Sequence, residues 1–487
     1  MTSTKINYGD ESPIAAFATT PGNSALTLIR CSGSGAIDMV SSVFTSGQKS
    51  ASLKDERQKD ERQKDKRLKS APGNTIIHGW ITAQDTKIDE VLISVFRAPK
   101  SYTGEDSIDI CCHGGISAGK AVMAVLKTAG FRDALNGEFT FRAFLNGKMD
   151  LTRSESVMEL VSARSDKGRS NAVFRLCGAL EKEINSIKTQ LVQVLAGAEI
   201  YLDYSEDEIS AEPDDDLINE IEGKLPNKDI VLKVIKQLKD LSVTWQAERI
   251  YQEGVLIVIA GCPNAGKSSL FNLLLKEDRS IITDTPGTTR DWIEAFVSIK
   301  GIPVRLIDTA GLRETSDAVE KIGVERSKAL LQEADIVLYL IDGELGLTKA
   351  DEDFLKEHSN AIAVWNKSDI APPSPSKLTQ CPQPVIQVSA KTGGGLLELI
   401  AAIVSDVQKN VPETSGSAAL GTLRQKNLVD ASLFALEEAI ALSQDSQPLD
   451  LIAPLLRDAV NSLGCITGEV STADILEEMF SRFCVGK

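Results

Sequence analysis

The chain has 487 residues, 42% of them hydrophobic and 25% charged, with a formal net charge of −16. Its length exceeds one ordinary core and predicts about three domains, no apolar run approaches the roughly 20 residues that span a bilayer, and Met1 to Glu11 carries neither an apolar signal core nor an Arg-rich transit pattern, so a cytoplasmic protein with no membrane association is expected. The acidic balance argues against a surface coated for nucleic acid, and 8 cysteines with 3 histidines, none in metal-ligand spacing, argue against a zinc centre.

In chain order, residues 1–50 and 71–150 predict a small α/β region, with strands over Ala25–Arg30 and Glu90–Phe96 and a helix over Gly119–Thr128. Cys111-Cys112-His113 falls inside it, and neighbours on a strand face opposite ways, which favours core packing over ligation. Between the two parts, Lys54-Asp-Glu-Arg-Gln58 recurs as Lys59-Asp-Glu-Arg-Gln63 and degenerates in Lys64-Asp-Lys-Arg-Leu68. This stretch, about 52–70, is almost free of apolar residues and interleaves its charges, which predicts a solvated insertion rather than an RNA-binding arm. From Leu151 the pattern is helical: Leu176, Leu180, Ile184, Ile187, Leu191 and Leu195 make one apolar stripe on a long helix. An acidic loop from Asp203 to Asp216 and a second helical run, Ile230–Trp245, follow. From Val255 to about Gln408 apolar strands, Gly-rich turns and helices alternate. After a linker at 411–418, helices are predicted near 424–445, 448–464 and 471–483, the last opened by a Ser471-x-x-Asp474 capping arrangement. The economical organisation is a helical domain over 151–252 and 411–487, interrupted by an inserted α/β domain over 253–410.

Val255-Leu-Ile-Val-Ile-Ala260 reads as a buried strand and runs into Gly261-Cys-Pro-Asn264-Ala265-Gly266-Lys267-Ser268-Ser269, a phosphate loop opening a helix. Its glycines let backbone N–H groups wrap phosphates at a helix N-terminus. Lys267 neutralises the β- and γ-phosphates, and the Ser268 hydroxyl ligates Mg²⁺. Leu306-Ile-Asp308-Thr309-Ala310-Gly311 ends a strand in D-x-x-G: Asp308 reaches the Mg²⁺ shell through water and the Gly311 N–H meets the γ-phosphate. Asn366-Lys367-Ser-Asp369 follows the apolar strand Ala361–Trp365, and the Asp369 carboxylate accepts from N1–H and the 2-amino group of guanine, donors that adenine lacks. Ser389-Ala390-Lys391 offers backbone donors to the guanine O6. Gly287-Thr-Thr289-Arg-Asp291 supplies a hydroxyl, that of Thr289, to Mg²⁺ when the γ-phosphate is present. Leu312 stands where Ras-type enzymes carry a water-orienting glutamine, so hydrolysis requires another group for that task.

Outside the nucleotide motifs, Thr103-Gly-Glu105-Asp, His113-Gly-Gly, Gly137-Glu-Phe139, Arg142-Ala-Phe-Leu-Asn146 and the terminal Cys484-Val-Gly-Lys487 resemble the MnmE (TrmE) family of tRNA modification GTPases, over nearly the whole chain apart from the charged insertion. The resemblance implies a multidomain α/β plus all-α fold. An N-terminal α/β domain over 1–150 binds folate and dimerises, and a central helical domain is interrupted by an inserted Ras-like P-loop GTPase domain with a doubly wound sheet. It implies 5-formyl-tetrahydrofolate as one-carbon donor, with Arg30, Glu105, Lys148 and Lys487 as ligands. It implies a potassium ion in place of an arginine finger, held by Asn264 and by Thr283, Thr285 and Thr288 of the GTP-lining loop Thr283-Asp284-Thr285-Pro286-Gly287-Thr288. Pro286 departs from the small residue usual there; it lacks an N–H, but the ligands are oxygens. Glu320 is implied as the catalytic acid that organises the attacking water, against the plainer reading of a helix-start charge in Ser316-Asp-Ala-Val-Glu320. Cys484 is the second candidate catalytic residue, against a thiol that merely packs. Implied partners are a second copy of the chain and a flavin-dependent subunit that brings FAD and most tRNA contacts, forming a heterotetramer that installs a carboxymethylaminomethyl or aminomethyl group at C5 of the wobble uridine. The competing reading is a GTP-switched ribosome-assembly factor without one-carbon chemistry, which shares the GTPase grammar but appends an RNA-binding domain; no G-x-x-G loop in a KH context and no basic tail follows here.

Overall fold

The computed structural model describes residues 8–46, 66–84, 86–203, 225–277, 293–308, 329–374, 381–410 and 418–487. It divides into two compact units, Met1–Met158 with Gly464–Lys487, and Glu159–Leu463.

The first unit is built on a seven-stranded sheet of β1 (Ile14–Phe17), β2 (Leu26–Ser32), β3 (Phe44–Thr45), β4 (Thr75–Ala83), β5 (Thr86–Phe96), β6 (Ser107–His113) and β7 (Arg132–Asp133), in the order β3-β4-β5-β6-β2-β1-β7. All neighbours are antiparallel except β7, which lies parallel to β1. One face is buried: Ile29 and Cys31, Ile93 and Val95, and Ile108, Ile110 and Cys112 alternate into a core closed by Ile37 and Val40 of helix Ala36–Ser42 and by Val122 and Leu126 of helix Ile116–Thr128. The charged insertion departs from expectation at its end. Residues 47–65 lie outside the described residues, but Lys66–Ser70 is a helix and Leu68 is fully buried in the sheet's core, so the lone apolar residue of the repeat anchors it. A chain terminus ordinarily frays; here it is tied down. Phe480 and Phe483 pack with Phe141 and Leu151, Gly137 N–H donates to the Cys484 carbonyl at 3.3 Å, and a β-bridge joins Asn136 to Val485. Gly486 lies so close to the Phe17 carbonyl that a Cβ would sit 2.3 Å from it. The Tyr8 ring lies tilted against Phe141 and Phe480, 4.9 Å and 6.5 Å between centroids, and its hydroxyl donates to the Asn136 carbonyl at 2.8 Å; burial, then the Glu138 and Glu477 charges, push its phenol up to about 12.

In the second unit a six-stranded sheet contains β8 (Val255–Gly261), β9 (Ile293–Ile299), β10 (Ile302–Asp308), β11 (Ile336–Asp342), β12 (Ala361–Asn366) and β13 (Val385–Gln387), in the order β13-β12-β11-β8-β10-β9. All pairs are parallel except the hairpin β9–β10, whose two turn residues, Lys300 and Gly301, both have positive φ, as a right-twisted two-residue hairpin requires. Alternate residues of β8 enter two cores: Ile257 and Ile259 pack with Leu270, Phe271 and Ile403, while Val258 and Ala260 pack with Tyr339, Leu355 and Trp365. Covered on both faces, its central strands β8 and β11 are near-continuous apolar runs. This is the doubly wound Ras-like sheet; the strand order reverses at β8, so the loops leaving β8, β10 and β12 share one crevice.

The predicted apolar stripe is interrupted. Leu176 ends helix Asp166–Leu176, and the next helix, Ala179–Asp203, carries Leu180, Ile184, Ile187 and Leu191 fully buried. Gly178, at φ 86°, breaks the run, because a left-handed residue terminates a helix. Helices Lys228–Glu253, Leu423–Gln444 and Leu449–Thr467 complete the helical part. Arg175 holds it together at the insertion point: its guanidinium is 2.7 Å from Glu159 and 2.7 Å from Glu248, and Asn171 also donates to Glu248. The final helix, Ala473–Ser481, is capped at Thr472 rather than Ser471, whose hydroxyl instead donates to the Gly468 carbonyl at 3.5 Å. The acidic stretch beyond Asp203 and the linker at 411–417 lie outside the described residues.

Candidate functional site

Helix Lys267–Glu277 begins directly after the loop that leaves β8, so its first N–H groups open onto the crevice. The loop is shaped by backbone. Gly261 has φ 140° and would drive a Cβ to 2.4 Å from the Leu340 carbonyl; Gly266 has φ 91° and would drive one to 2.2 Å from the Asn366 Nδ2. Asn264 is itself left-handed, at φ 63°. Lys267 Nζ donates to the carbonyls of Gly261 at 3.0 Å and Cys262 at 2.8 Å. The Ser268 hydroxyl donates to Asp308 Oδ2 at 2.7 Å, and Asp308, at the end of β10, is fully buried. A hydroxyl and a carboxylate this close, both oxygen donors, suit a hard cation such as Mg²⁺.

The N-K-S-D segment is stapled to the loop after β8 by one side chain. Asn366, at the tip of β12, donates from Nδ2 to the Ala265 carbonyl at 2.6 Å and accepts at Oδ1 from the Ala390 N–H at 3.0 Å. Gly266 therefore has a second reason to be glycine: it leaves room for that carboxamide. The Ala390 N–H, expected to face guanine O6, is engaged by Asn366 in this arrangement. Ser389 is buried, and its hydroxyl accepts from the Thr392 N–H at 3.2 Å. Lys367 pairs with Asp342 and Glu344; Asp369 and Lys391 are exposed, and Ser269, on the first turn of the helix, is exposed as well. Thr283, Asp284, Thr285, Pro286, Gly287, Thr288, Thr289, Thr309, Ala310, Gly311 and Glu320 lie outside the described residues.

The four expected folate ligands belong to the first unit. Arg30 pairs with Asp109 across β2–β6 at 3.0 Å and lies over the Tyr102 ring, 5.5 Å from its centroid. The Glu105 carboxylate accepts from Ser32 at 2.8 Å and from Arg142 at 3.2 Å. Lys148 Nζ donates to the Pro99 carbonyl at 2.9 Å, so Arg30, Glu105 and Lys148 gather around the loop 99–106. The Lys487 N–H donates to the Cys484 carbonyl at 3.3 Å, one residue beyond the Gly486 contact with Phe17, and the Cys484 thiol is exposed. Sequence reading missed the charges beneath. Arg142, noted only as part of a motif, sits between Glu105 and the fully buried Glu138 and also donates to the Ser12 carbonyl at 2.8 Å. Arg132 clamps Glu138 from the other side at 2.6 Å and pairs with Asp10. The available signal was Glu138 and Arg142 one helical turn apart, amid Phe139 and Phe141.

Two family profiles match the chain: "GTP-binding protein TrmE N-terminus" over residues 13–148 and "MnmE helical domain" over residues 151–484. The tRNA modification GTPase MnmE of Treponema denticola is 42% identical over 99% of this chain and 99% of its own. That of Carboxydothermus hydrogenoformans is 38% identical over 98% of this chain and 100% of its own. The chain belongs to the MnmE family of tRNA modification GTPases. A solved structure of the G domain of the Thermotoga maritima FeoB iron transporter aligns at 30% identity, covering 32% of this chain and 99% of that chain, with a TM-score of 0.25. As an MnmE-family member the chain is a GTP hydrolase using Mg²⁺, and the crevice above β8 brings together Lys267, Ser268, Asp308 and Asn366. No helix among the described residues is long and apolar enough to cross a membrane.

Proposed function

We propose that this chain couples GTP hydrolysis to modification of the wobble uridine of tRNA, acting in the cytoplasm with a flavin-dependent partner to place a carboxymethylaminomethyl or aminomethyl group on C5. The observation that carries the reading is that likeness to tRNA modification GTPases runs over 99% of both chains. It therefore takes in the N-terminal unit and the tail at Cys484–Lys487, and not only the nucleotide-binding sheet that a ribosome-assembly factor would share.

In the hydrolytic step a water oxygen bonds to the γ-phosphorus as the bond to the β–γ bridging oxygen breaks, giving GDP and inorganic phosphate. Lys267, freed from the Gly261 and Cys262 carbonyls, neutralises the β- and γ-phosphates. Ser268, with Thr289, would hold Mg²⁺ beside Asp308, and the ion would supply positive charge against that of the phosphates. Asn264, Thr283, Thr285 and Thr288 would hold K⁺, which would supply the charge an arginine finger gives, and Glu320 would orient the water that Leu312 cannot. In the first unit, Glu105 accepts from the donor edge of a pterin while Arg30, Lys148 and Lys487 meet the glutamyl carboxylates of 5-formyl-tetrahydrofolate. That group would supply a one-carbon unit when bound, and the exposed Cys484 is the candidate catalytic thiol. The chain forms a homodimer, and with two flavin-dependent subunits carrying FAD a heterotetramer. The partner supplies the tRNA contacts that a net charge of −16 makes unfavourable here.

The test is nucleoside mass spectrometry of tRNA from a strain lacking the gene, complemented with the wild type or with Lys267→Ala. Loss of the C5-modified wobble uridine in the deletion and in the Lys267 variant is expected. Normal modification in the deletion, with defective ribosomal subunit profiles, would establish the assembly-factor reading instead.

A further inference from the structure

The lysine of the guanine-recognition segment is held in an unusual way. Lys367 has a left-handed backbone, φ 60°, and its ammonium lies 2.8 Å from Asp342 Oδ2 and 2.7 Å from Glu344 Oε2. These are not drifting surface charges. Asp342 ends β11 in register with Asn366 on β12, so the sheet places it beside Lys367. Gly343 then donates its N–H to the Asn366 carbonyl at 3.1 Å, and a Cβ there would stand 2.5 Å from that oxygen. The Glu344 N–H closes the turn on Asp342 Oδ1 at 3.0 Å. The Asp342 side chain is 4% exposed and that of Glu344 54%, so one carboxylate anchors and the other covers. The Lys367 carbonyl accepts from the Ile370 and Ala371 N–H groups at 3.0 Å and 2.9 Å, forming the turn that presents Asp369.

We propose that Asp342 and Glu344 are positioning residues for base specificity: they tether the Lys367 ammonium so that its carbon stem stands as a fixed wall of the guanine slot. The proposal rests on the reading of Asn366–Asp369 as that slot. An untethered lysine stem would lose its rotamer freedom whenever a base packed against it; a stem already clamped loses little more, so the base binds tighter and leaves more slowly. With the ammonium engaged by carboxylates, the wall selects by shape, and hydrogen-bond selection is left to Asp369. The two acids act through Lys367 and touch no substrate.

The experiment is stopped-flow release of a fluorescent GDP from the full chain, with GTP and xanthosine triphosphate as competitors. Asp342→Asn, alone or with Glu344→Gln, is expected to raise the release rate about 10-fold, and Glu344→Gln alone about 3-fold, the scale of one immobilised side chain. Glu344→Asp keeps the charge and restores most of the loss. Lys367→Met raises the rate as well, and on that background neither acid substitution adds anything. If the acid substitutions act additively with Lys367→Met, they act on the fold and the tether is refuted. If they leave release unchanged while Asp369→Asn shifts preference toward xanthosine triphosphate, the tether is refuted and the guanine slot stands. If Asp369→Asn also keeps its GTP preference, the slot itself is wrong and the tether falls with it. Should Asp342→Asn fail to fold, the cycle of exposed Glu344 with Lys367 decides the question alone.

Discussion

The crevice above β8 and the charge cluster of the N-terminal unit are made of different material. In the crevice the shaping is done by main chain: Gly261 and Gly266 at positive φ, Asn264 in a left-handed turn, and one carboxamide, Asn366, bonding to a carbonyl and an N–H. In the N-terminal unit it is done by side chains, with Asp10, Ser32, Glu105, Arg132, Glu138 and Arg142 converging from five separate places. A main-chain site tolerates exchange of most side chains that line it, since its donors are N–H groups carried by every residue but proline. A side-chain site has no such reserve: each charge is compensated by another, and removal of one leaves its partner buried and unpaired.

Arg142→Met is the strongest way to break that contrast. It strips Glu105 of its guanidinium and takes one of two from Glu138, which is 0% exposed. Breaking a buried pair costs about 3–5 kcal/mol, so amide exchange in helix Glu138–Leu145 should speed up roughly 10²- to 10³-fold. Amides of the six-stranded sheet should exchange as before. Unchanged exchange in that helix would mean that Arg132 alone satisfies Glu138.

The same difference of material explains what the sequence could disclose. The phosphate loop, N-K-S-D and S-A-K were legible as motifs because each is a short contiguous run whose own turn fixes its geometry. So was the doubly wound sheet, since strands buried on both faces are near-continuous apolar runs. Arg142 and Glu138 were not legible as a pair with Glu105 and Arg132, because the partners meet only through the strand order β6-β2-β1-β7. Leu68 was misread for a related reason: one apolar residue in a charged run makes no period, and only the folded core shows it buried. The stripe from Leu176 to Leu195 has the correct period but runs through Gly178, whose φ of 86° a periodicity count cannot see.

Asn264 sharpens the contrast, as a loop side chain that, like Lys267 and Ser268, is expected to act through chemistry rather than shape. Its φ of 63° makes alanine an unsuitable deletion, since alanine lacks the short polar side chain that lets asparagine tolerate the left-handed region; Asn264→Gly removes the carboxamide while the backbone keeps its turn. With K⁺ standing for an arginine finger, GTP turnover in potassium salts should exceed that in sodium salts of equal ionic strength by about 10²-fold, the scale of one preorganised transition-state contact. The glycine variant should lose the difference and bind GDP much as before, because the phosphates are held by N–H groups and Lys267. Equal wild-type turnover in both salts would remove potassium from the mechanism and reopen the search for an arginine supplied by another chain.

The smallest effect belongs to His113, and it asks whether burial, rather than charge, gives the N-terminal cluster its weight. His113 Nδ1 lies 2.7 Å from Asp89 Oδ1, and its N–H donates to Asp89 Oδ2 at 2.9 Å, yet the imidazole is 63% exposed. The hydrogen bond that the ring donates to Asp89, and then the Asp89 charge, raise the imidazole above its ordinary value of about 6.5. The sign follows: the pair's contribution to stability is fully present below about pH 6.5, where both folded and unfolded rings are charged, and it is lost as pH rises through the raised folded value. Solvent screens an exposed pair, so the contribution stays far below that of Arg142. An NMR titration of the His113 ring in the wild type and in Asp89→Asn checks this. The variant should titrate lower, while exchange in helix Glu138–Leu145 is the same in both proteins at pH 6 and pH 8. A shared midpoint would dismiss the pair, and a pH-dependent loosening of that helix would show that an exposed charge can weigh as much as a buried one.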